Sequence, residues 1–445
     1  MKLHDARGIE LSTTSRRAAD GYDHTIELLA RYSADALATI DAALADEPDF
    51  VSGHCVRAAL GVLATERAGE PLIRESVGHG RRLAGSATGR ELRHLAAAEA
   101  WLGGDFHRSN ELYGSILLDH PRDLLALQVA HIGDFSLGQQ RQLRDRVAQV
   151  LPAWDASVPG YGFVLGMLAF GLEETNLFEL AELTGEQALE HQRRDAWAVH
   201  AVAHVHEMTG RTGAGIDWLE SRVDDWAPNN ALAYHNFWHL ALFHLEEGDA
   251  ARVLELFDRY VWPRPSGIAL EMVDAAALLW RLHLRGIDVG ARSASVADAF
   301  SDPAQRAYYA FSDVHAVLAL VTDGRIAEAL TVVADLERVA GDSTSNGAMT
   351  REVGLPLARA VVAFGRRRYA EVVDTLLPLR FHAVRFGGSN AQRDLIDQTL
   401  AEAAVRSGRG QVARALVSER RLLRPESRWA SEVESRLPHA GFAAE

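Results

Sequence analysis

Nine glycines and one threonine–asparagine pair punctuate the chain at nearly regular intervals, each lying between two stretches whose apolar residues recur with a helical period. They are Gly69, Gly104, Gly138, Thr175-Asn176, Gly210, Gly248, Gly286, Gly324, Gly365 and Gly408, and the spacings run from 34 to 43 residues. A helix that ends on glycine and is followed at once by a second amphipathic helix is a helix pair. Such a pair cannot cover its own apolar face. Stacking many copies does so, by building one elongated core.

A period close to about 34 residues, with small residues at the turn, is that of the tetratricopeptide repeat. The expected fold is therefore all-α: an α-solenoid, or superhelix, of about ten tetratricopeptide-like helix pairs. Residues 1–45 fall outside the period and read as N-terminal capping helices, with Ser12-Thr13-Thr14-Ser15 as a helix start. The repeat superhelix is expected over 46–430 and a C-terminal tail over 431–445. Asp342-Ser343-Thr344-Ser345-Asn346 reads as a polar loop.

Composition narrows the partners. Of 445 residues, 46 are Lys or Arg and 61 are Asp or Glu, a net charge of −15 with no long basic run. A phosphate backbone is repelled by such a surface, so nucleic acid is not an expected partner. Cys55 is the only cysteine, which leaves no internal disulfide and fits a reducing compartment. The opening residues lack the apolar core of a signal peptide, and no stretch approaches the roughly 18 to 20 apolar residues that cross a bilayer. A cytoplasmic protein without a membrane span is expected.

In this repeat the first helix of each pair lines the concave surface. Counting thirteen, ten, six and three residues back from Gly210 gives Trp197, His200, His204 and Glu207, which share one helical stripe. The same count from Gly248 gives His235 and Trp238, with His239 one turn beyond His235. The preceding pair offers Phe163, Phe170 and Glu173. These predict a central pocket with aromatic walls, several imidazoles and two carboxylates. His206 and His244 fall at positions that pack on the partner helix and read as core residues.

Three uses of the cluster stay open. Two histidines four apart on one helix can reach one ion and a neighbouring helix can complete the set, so His200, His204 and His235 are candidate ligands for zinc or iron. The same imidazoles with Glu207 are candidates for hydrolysis or acid–base catalysis, because histidine titrates near neutrality. Without either, Trp197, His200, His204, Glu207, His235, Trp238, His239 and Glu173 would bind a small polar molecule or a peptide in the groove. The string His-x-x-x-His-x-His-Glu is not the metalloprotease signature His-Glu-x-x-His. A homodimer is a further partner to consider.

A second candidate lies at Phe386-Gly387-Gly388-Ser389-Asn390-Ala391-Gln392-Arg393-Asp394. Paired glycines admit a close backbone approach, Ser389 or Asn390 can cap the following helix, and free N–H groups with Arg393 suit an anion. If the array completes about one superhelical turn, this segment meets the histidine cluster. No P-loop, dinucleotide fingerprint or Gly-x-Ser-x-Gly elbow occurs.

Several of these strings together resemble the tetratricopeptide repeat protein 38 family. They are Asp195 to Met208, His235-Asn236-Phe237-Trp238-His239, Gly171-Leu172-Glu173-Glu174-Thr175-Asn176, Val353-Gly354-Leu355-Pro356-Leu357 and Gly387 to Asp394. The resemblance runs along most of the chain and implies a repeat protein of this type found in bacteria and animals. It implies no defined reaction and no catalytic role for any residue.

Overall fold

The computed structural model describes residues 3–437. Ten consecutive helix pairs follow one another among them, from Val51–Ala64 with Glu70–Arg82 to Asn390–Arg406 with Gly410–Leu423. Each first helix packs on its own second helix and on its neighbours in the array. The chain is thus an all-α solenoid. Two isolated bridges, His4 with Glu10 and Ser33 with Asn230, are the strand-like pairings described.

The turns explain the period. Gly104, Gly138, Asn176, Gly210, Gly248, Gly286, Gly324 and Gly408 all have φ between 62° and 80°, a left-handed conformation that closes a helix C-terminus at little cost only for glycine or asparagine. The backbone bonds match: Gly210 N donates to Glu207 O at 3.2 Å and Arg211 N to His206 O at 2.9 Å, which satisfies carbonyls the helix would otherwise leave bare.

Gly69 and Gly365 differ from the expectation. At those two turns the left-handed residues are Thr65 and Arg367, and the glycines serve close packing instead. A Cβ on Gly69 would stand 2.7 Å from the Gly61 carbonyl oxygen, and one on Gly365 would stand 2.6 Å from Val321 Cγ1.

At the N-terminus, Ser15 caps the helix Arg16–Ala30, which packs on Ala36–Asp46. At the other end, Ser427 caps Arg428–Ser435 and donates to Glu246 Oε1 at 2.7 Å. The rest of the expected tail, 438–445, lies outside the described residues. The expected loop at 342–346 is partly helical. Thr344 accepts from Gly347 N and starts the short helix Ser345–Met349, while Asn346 accepts from Ala310 N at 2.8 Å. Among the described residues no helix is long and apolar enough to cross a membrane.

The superhelix curls far enough for distant repeats to touch across its inner face. Trp101 Nε1 donates to Tyr308 Oη at 2.9 Å, Tyr309 Oη to Ser136 O at 2.8 Å, and Trp280 Nε1 to Thr399 Oγ1 at 2.9 Å. The stripe of first-helix polar residues is enclosed, and a hollow lined by Glu207, Arg281, Arg285, Asp394 and Arg424 remains beside it.

Candidate metal centre

Four first helices build the site: Tyr161–Glu174, Ala196–Met208, Ala233–Glu247 and Ala269–Leu284. Asp195 caps the second, accepting from Trp197 N and Ala198 N, and every residue from Ala196 to His206 is buried. A helix apolar on all sides belongs in an interior, and its few polar side chains must then be satisfied by one another.

His200, His204, His235 and His239 converge, with exposures of 2, 0, 8 and 0%. His235 Nε2 lies 3.0 Å from His200 Nε2 and 3.3 Å from His239 Nε2. The ring of His204 sits 4.3 Å from that of His200 and 4.5 Å from that of His239, centroid to centroid. One ligand atom from each of the four falls within 4.8 Å of the others.

Carboxylates orient two of these rings. His235 Nδ1 is 2.6 Å from Asp274 Oδ2, and His239 Nδ1 is 2.9 Å from Glu207 Oε2. A ring nitrogen facing a carboxylate at such distances donates to it, which in a neutral ring leaves Nε2 as a bare lone pair. Two such lone pairs then face each other across 3.3 Å. A cation held between the rings satisfies both lone pairs at once, whereas a hydrogen bond from His200 Nε2, 3.0 Å from His235 Nε2, satisfies only one.

A proton is disfavoured on most of these rings. Burial, reinforced by the neighbouring imidazoles, holds His200 and His239 well below the ordinary histidine range, and burial lowers His204 to about 4. A divalent metal fits the donors. Metal–nitrogen bonds of about 2.0–2.1 Å in a tetrahedron place nitrogens roughly 3.3–3.4 Å apart, against 3.0 and 3.3 Å from His235 Nε2 to the Nε2 atoms of His200 and His239 and a span of up to 4.8 Å over the four donors. Carboxylates behind the histidines, as Asp274 and Glu207 are here, are the usual support of a histidine metal site.

Glu173 stands beside this group, with Oε2 3.3 Å from His204 Nδ1. Neither Glu173 oxygen nor either His204 nitrogen is hydrogen bonded. Burial raises Glu173 to about 8 and Glu174 to about 7. Glu174 accepts from Asn390 N at 2.7 Å and Gln140 Nε2 at 3.0 Å, and pairs with Arg393 at 3.3 Å. The Gly387-to-Asp394 segment thus meets Glu174, which lies beside Glu173 and His204.

Its residues have uses other than those expected. Ser389 forms a capping box with Gln392, and Arg393 is engaged by Glu174, Asn390 Oδ1 and the Gly388 carbonyl. The anion that Arg393 meets is a carboxylate of this chain.

The aromatic residues surround the imidazoles. Phe170 contacts Trp197, His200 and His204 at 4.7 to 5.3 Å. Phe163, two turns earlier on the same helix, is also buried. Trp197 donates through Nε1 to His131 Nε2 at 3.1 Å, and Trp238 lies parallel to His235 at 5.3 Å. Both tryptophans are buried packing partners rather than walls open to a groove.

His206 is buried against Trp218 but leaves Nδ1 without a partner, and His244 is only partly buried. Asp274, Glu174 and His131 escaped the count from the turn glycines. A signal for Asp274 was present, since a single acid within Met272-Val273-Asp274-Ala275-Ala276 must be matched if the helix is interior.

No family model matches the sequence. The chain is similar to the crystal structure of the APC/C hetero-tetramer Cut9–Hcn1, at 11% identity over 93% of this chain and 69% of that one, with a TM-score of 0.48. It is also similar to the human IFIT1 dimer with PPP-AAAA, at 12% identity over 94% and 93%, with a TM-score of 0.44. A tetratricopeptide repeat protein from Parabacteroides merdae aligns at 12% identity over 65% of this chain and 98% of that one, with a TM-score of 0.33.

Proposed function

We propose that the chain is a ligand-binding repeat protein of the tetratricopeptide repeat protein 38 type, and that the ligand of its histidine- and tryptophan-rich interior is a transition-metal ion. His200, His204, His235 and His239 hold the ion, while Asp274 and Glu207 fix the rings of His235 and His239. Zinc or ferrous iron suits an all-imidazole set. The observation that carries this reading is the approach of His235 Nε2 to His239 Nε2 at 3.3 Å with each opposite nitrogen turned to a carboxylate.

A peptide or larger metabolite is less well supported at this position, because the imidazoles are at most 8% exposed. The same enclosure disfavours hydrolysis or acid–base catalysis, which needs a path for substrate to the rings. The test is elemental analysis of the full chain purified without added metal. At least one ion per chain is expected, falling to near zero when His200→Ala and His235→Ala are combined. Protein that stays folded and retains no metal, even after incubation with zinc or ferrous iron, would overturn the proposal.

A further inference from the structure

We propose a second cation site next to the first, formed by Glu173, Glu174 and Nδ1 of His204, so that the centre holds two ions with the His204 ring between them. This rests on the reading of the four imidazoles as a metal site, because His204 belongs to both sets.

The donor atoms of Glu173, Glu174 and His204 lie within 4.8 Å of one another, and all three residues are buried. Glu173 and His204 are both 0% exposed; neither His204 nitrogen has a hydrogen-bond partner, and the side chains of Glu174 and Asn390 lie beside the Glu173 carboxyl without closing a well-formed hydrogen bond to it. Buried polar atoms without partners are rare, because each forfeits its hydration for nothing in return. Here the Glu173 carboxyl and His204 Nδ1 face each other without a hydrogen bond, and Nε2 lies on the other side of the ring. Their closest approach, His204 Nδ1 to Glu173 Oε2 at 3.3 Å, is within reach of a hydrogen bond yet not aligned as one. It is close to the separation of two donors on a single ion.

Charge points the same way. Arg393 offsets one of the two adjacent carboxylates through Glu174, and Asp274 and Glu207 add two more acids around the imidazoles. A buried carboxylate is compensated by a proton or by a divalent ion, and the ion serves Glu173, Glu174 and His204 together. Glu174 is held in place by the Asn390 amide, Gln140 and Arg393, so it presents its carboxylate without having to be reoriented. A set of one nitrogen and carboxylate oxygens suits zinc, iron or manganese.

With Nδ1 turned to Glu173, Nε2 is the nitrogen His204 has left for the imidazole set. Filling both sites requires His204 to give up its one ring proton, which passes to solvent and leaves an imidazolate between the ions.

Metal-free full-length protein, loaded with zinc and desalted, is expected to retain two zinc ions per chain. Glu173→Gln, which keeps the side chain's size, is expected to retain one. The wild-type ratio decides without any variant. One zinc in the wild type and in Glu173→Gln alike would overturn the second site while leaving the four-imidazole site standing. No retained zinc in the folded wild type would overturn both. Cobalt gives an independent readout: two cobalt ions joined through His204 couple magnetically in the wild type, and the single-ion electron paramagnetic resonance signal returns in Glu173→Gln. An uncoupled signal at two cobalt per chain would contradict a shared His204.

Discussion

Asp274 Oδ2 lies 2.6 Å from His235 Nδ1, a carboxylate on one first helix fixing the ring presented by its neighbour. Through it the fold decides which nitrogen of His235 faces the centre. Asp274→Asn keeps the shape and removes the charge, so zinc affinity should drop about 10–100-fold with little loss of structure. Competition against a chromophoric chelator measures this, and an unchanged affinity would deny Asp274 any part in supporting the ion.

The pH dependence of metal-free protein follows from two opposed sets of groups. Glu173 and Glu174 are raised from 4.5 to about 8 and about 7, so their contribution is whole below about 4.5 and is lost as pH rises towards 8. His204 is lowered from 6.5 to about 4, with His200 and His239 also lowered. Their contribution is whole above about 6.5 and is lost as pH falls. Above 6.5 the acids act without the histidines, together with Asp195 and Asp313, each raised to about 7. The thermal midpoint should therefore decline between about pH 6.5 and 8. Glu173→Gln should reduce that slope by up to about 1.4 kcal/mol per pH unit, and an identical slope in the variant would contradict the assignment.

His206 gives a control within the same helix. Its ring packs 6.0 Å from Trp218, away from the cluster, and its Nδ1 has no partner. His206→Ala should cost about 1–3 kcal/mol in denaturant unfolding and leave the metal content untouched. Loss of metal in a folded His206→Ala protein would show that the two faces of the helix are not independent.

Turn glycines separate strain from crowding. Gly286 has φ +73° and nothing within 4 Å of the point a Cβ would occupy, whereas Gly138 has φ +66° and a Cβ there would sit 1.7 Å from the Val384 carbonyl oxygen. Gly286→Ala should cost about 1–2 kcal/mol from backbone strain. Gly138→Ala should cost clearly more, since two distant repeats must also part. Equal losses in unfolding experiments would argue against the close contact between them.

The repeat was legible because left-handed turns leave a chemical trace: eight of the ten slots hold glycine or asparagine with positive φ. Gly69 and Gly365 share the spacing but not the conformation, for a small residue can be required by a neighbour as well as by its own backbone. The stripe Trp197, His200, His204 and Glu207 followed from helical spacing, and so did its junction with His235 and His239. Its enclosure did not follow, because curvature is set by small rotations summed over ten pairs, and no single repeat encodes the meeting of Asn390 with Glu174. Asp274 falls at a position that the spacing from the turn glycine does not select, and only its pairing with the buried His235 marks it.

The most direct measurement is X-ray absorption at the edge of the bound metal in the zinc-loaded Glu173→Gln protein, where the four-imidazole set stands alone. About four nitrogen neighbours at roughly 2.0–2.1 Å are expected, with the outer scattering of imidazole rings. An oxygen-only sphere like that of the hydrated ion would contradict a centre built from His200, His204, His235 and His239.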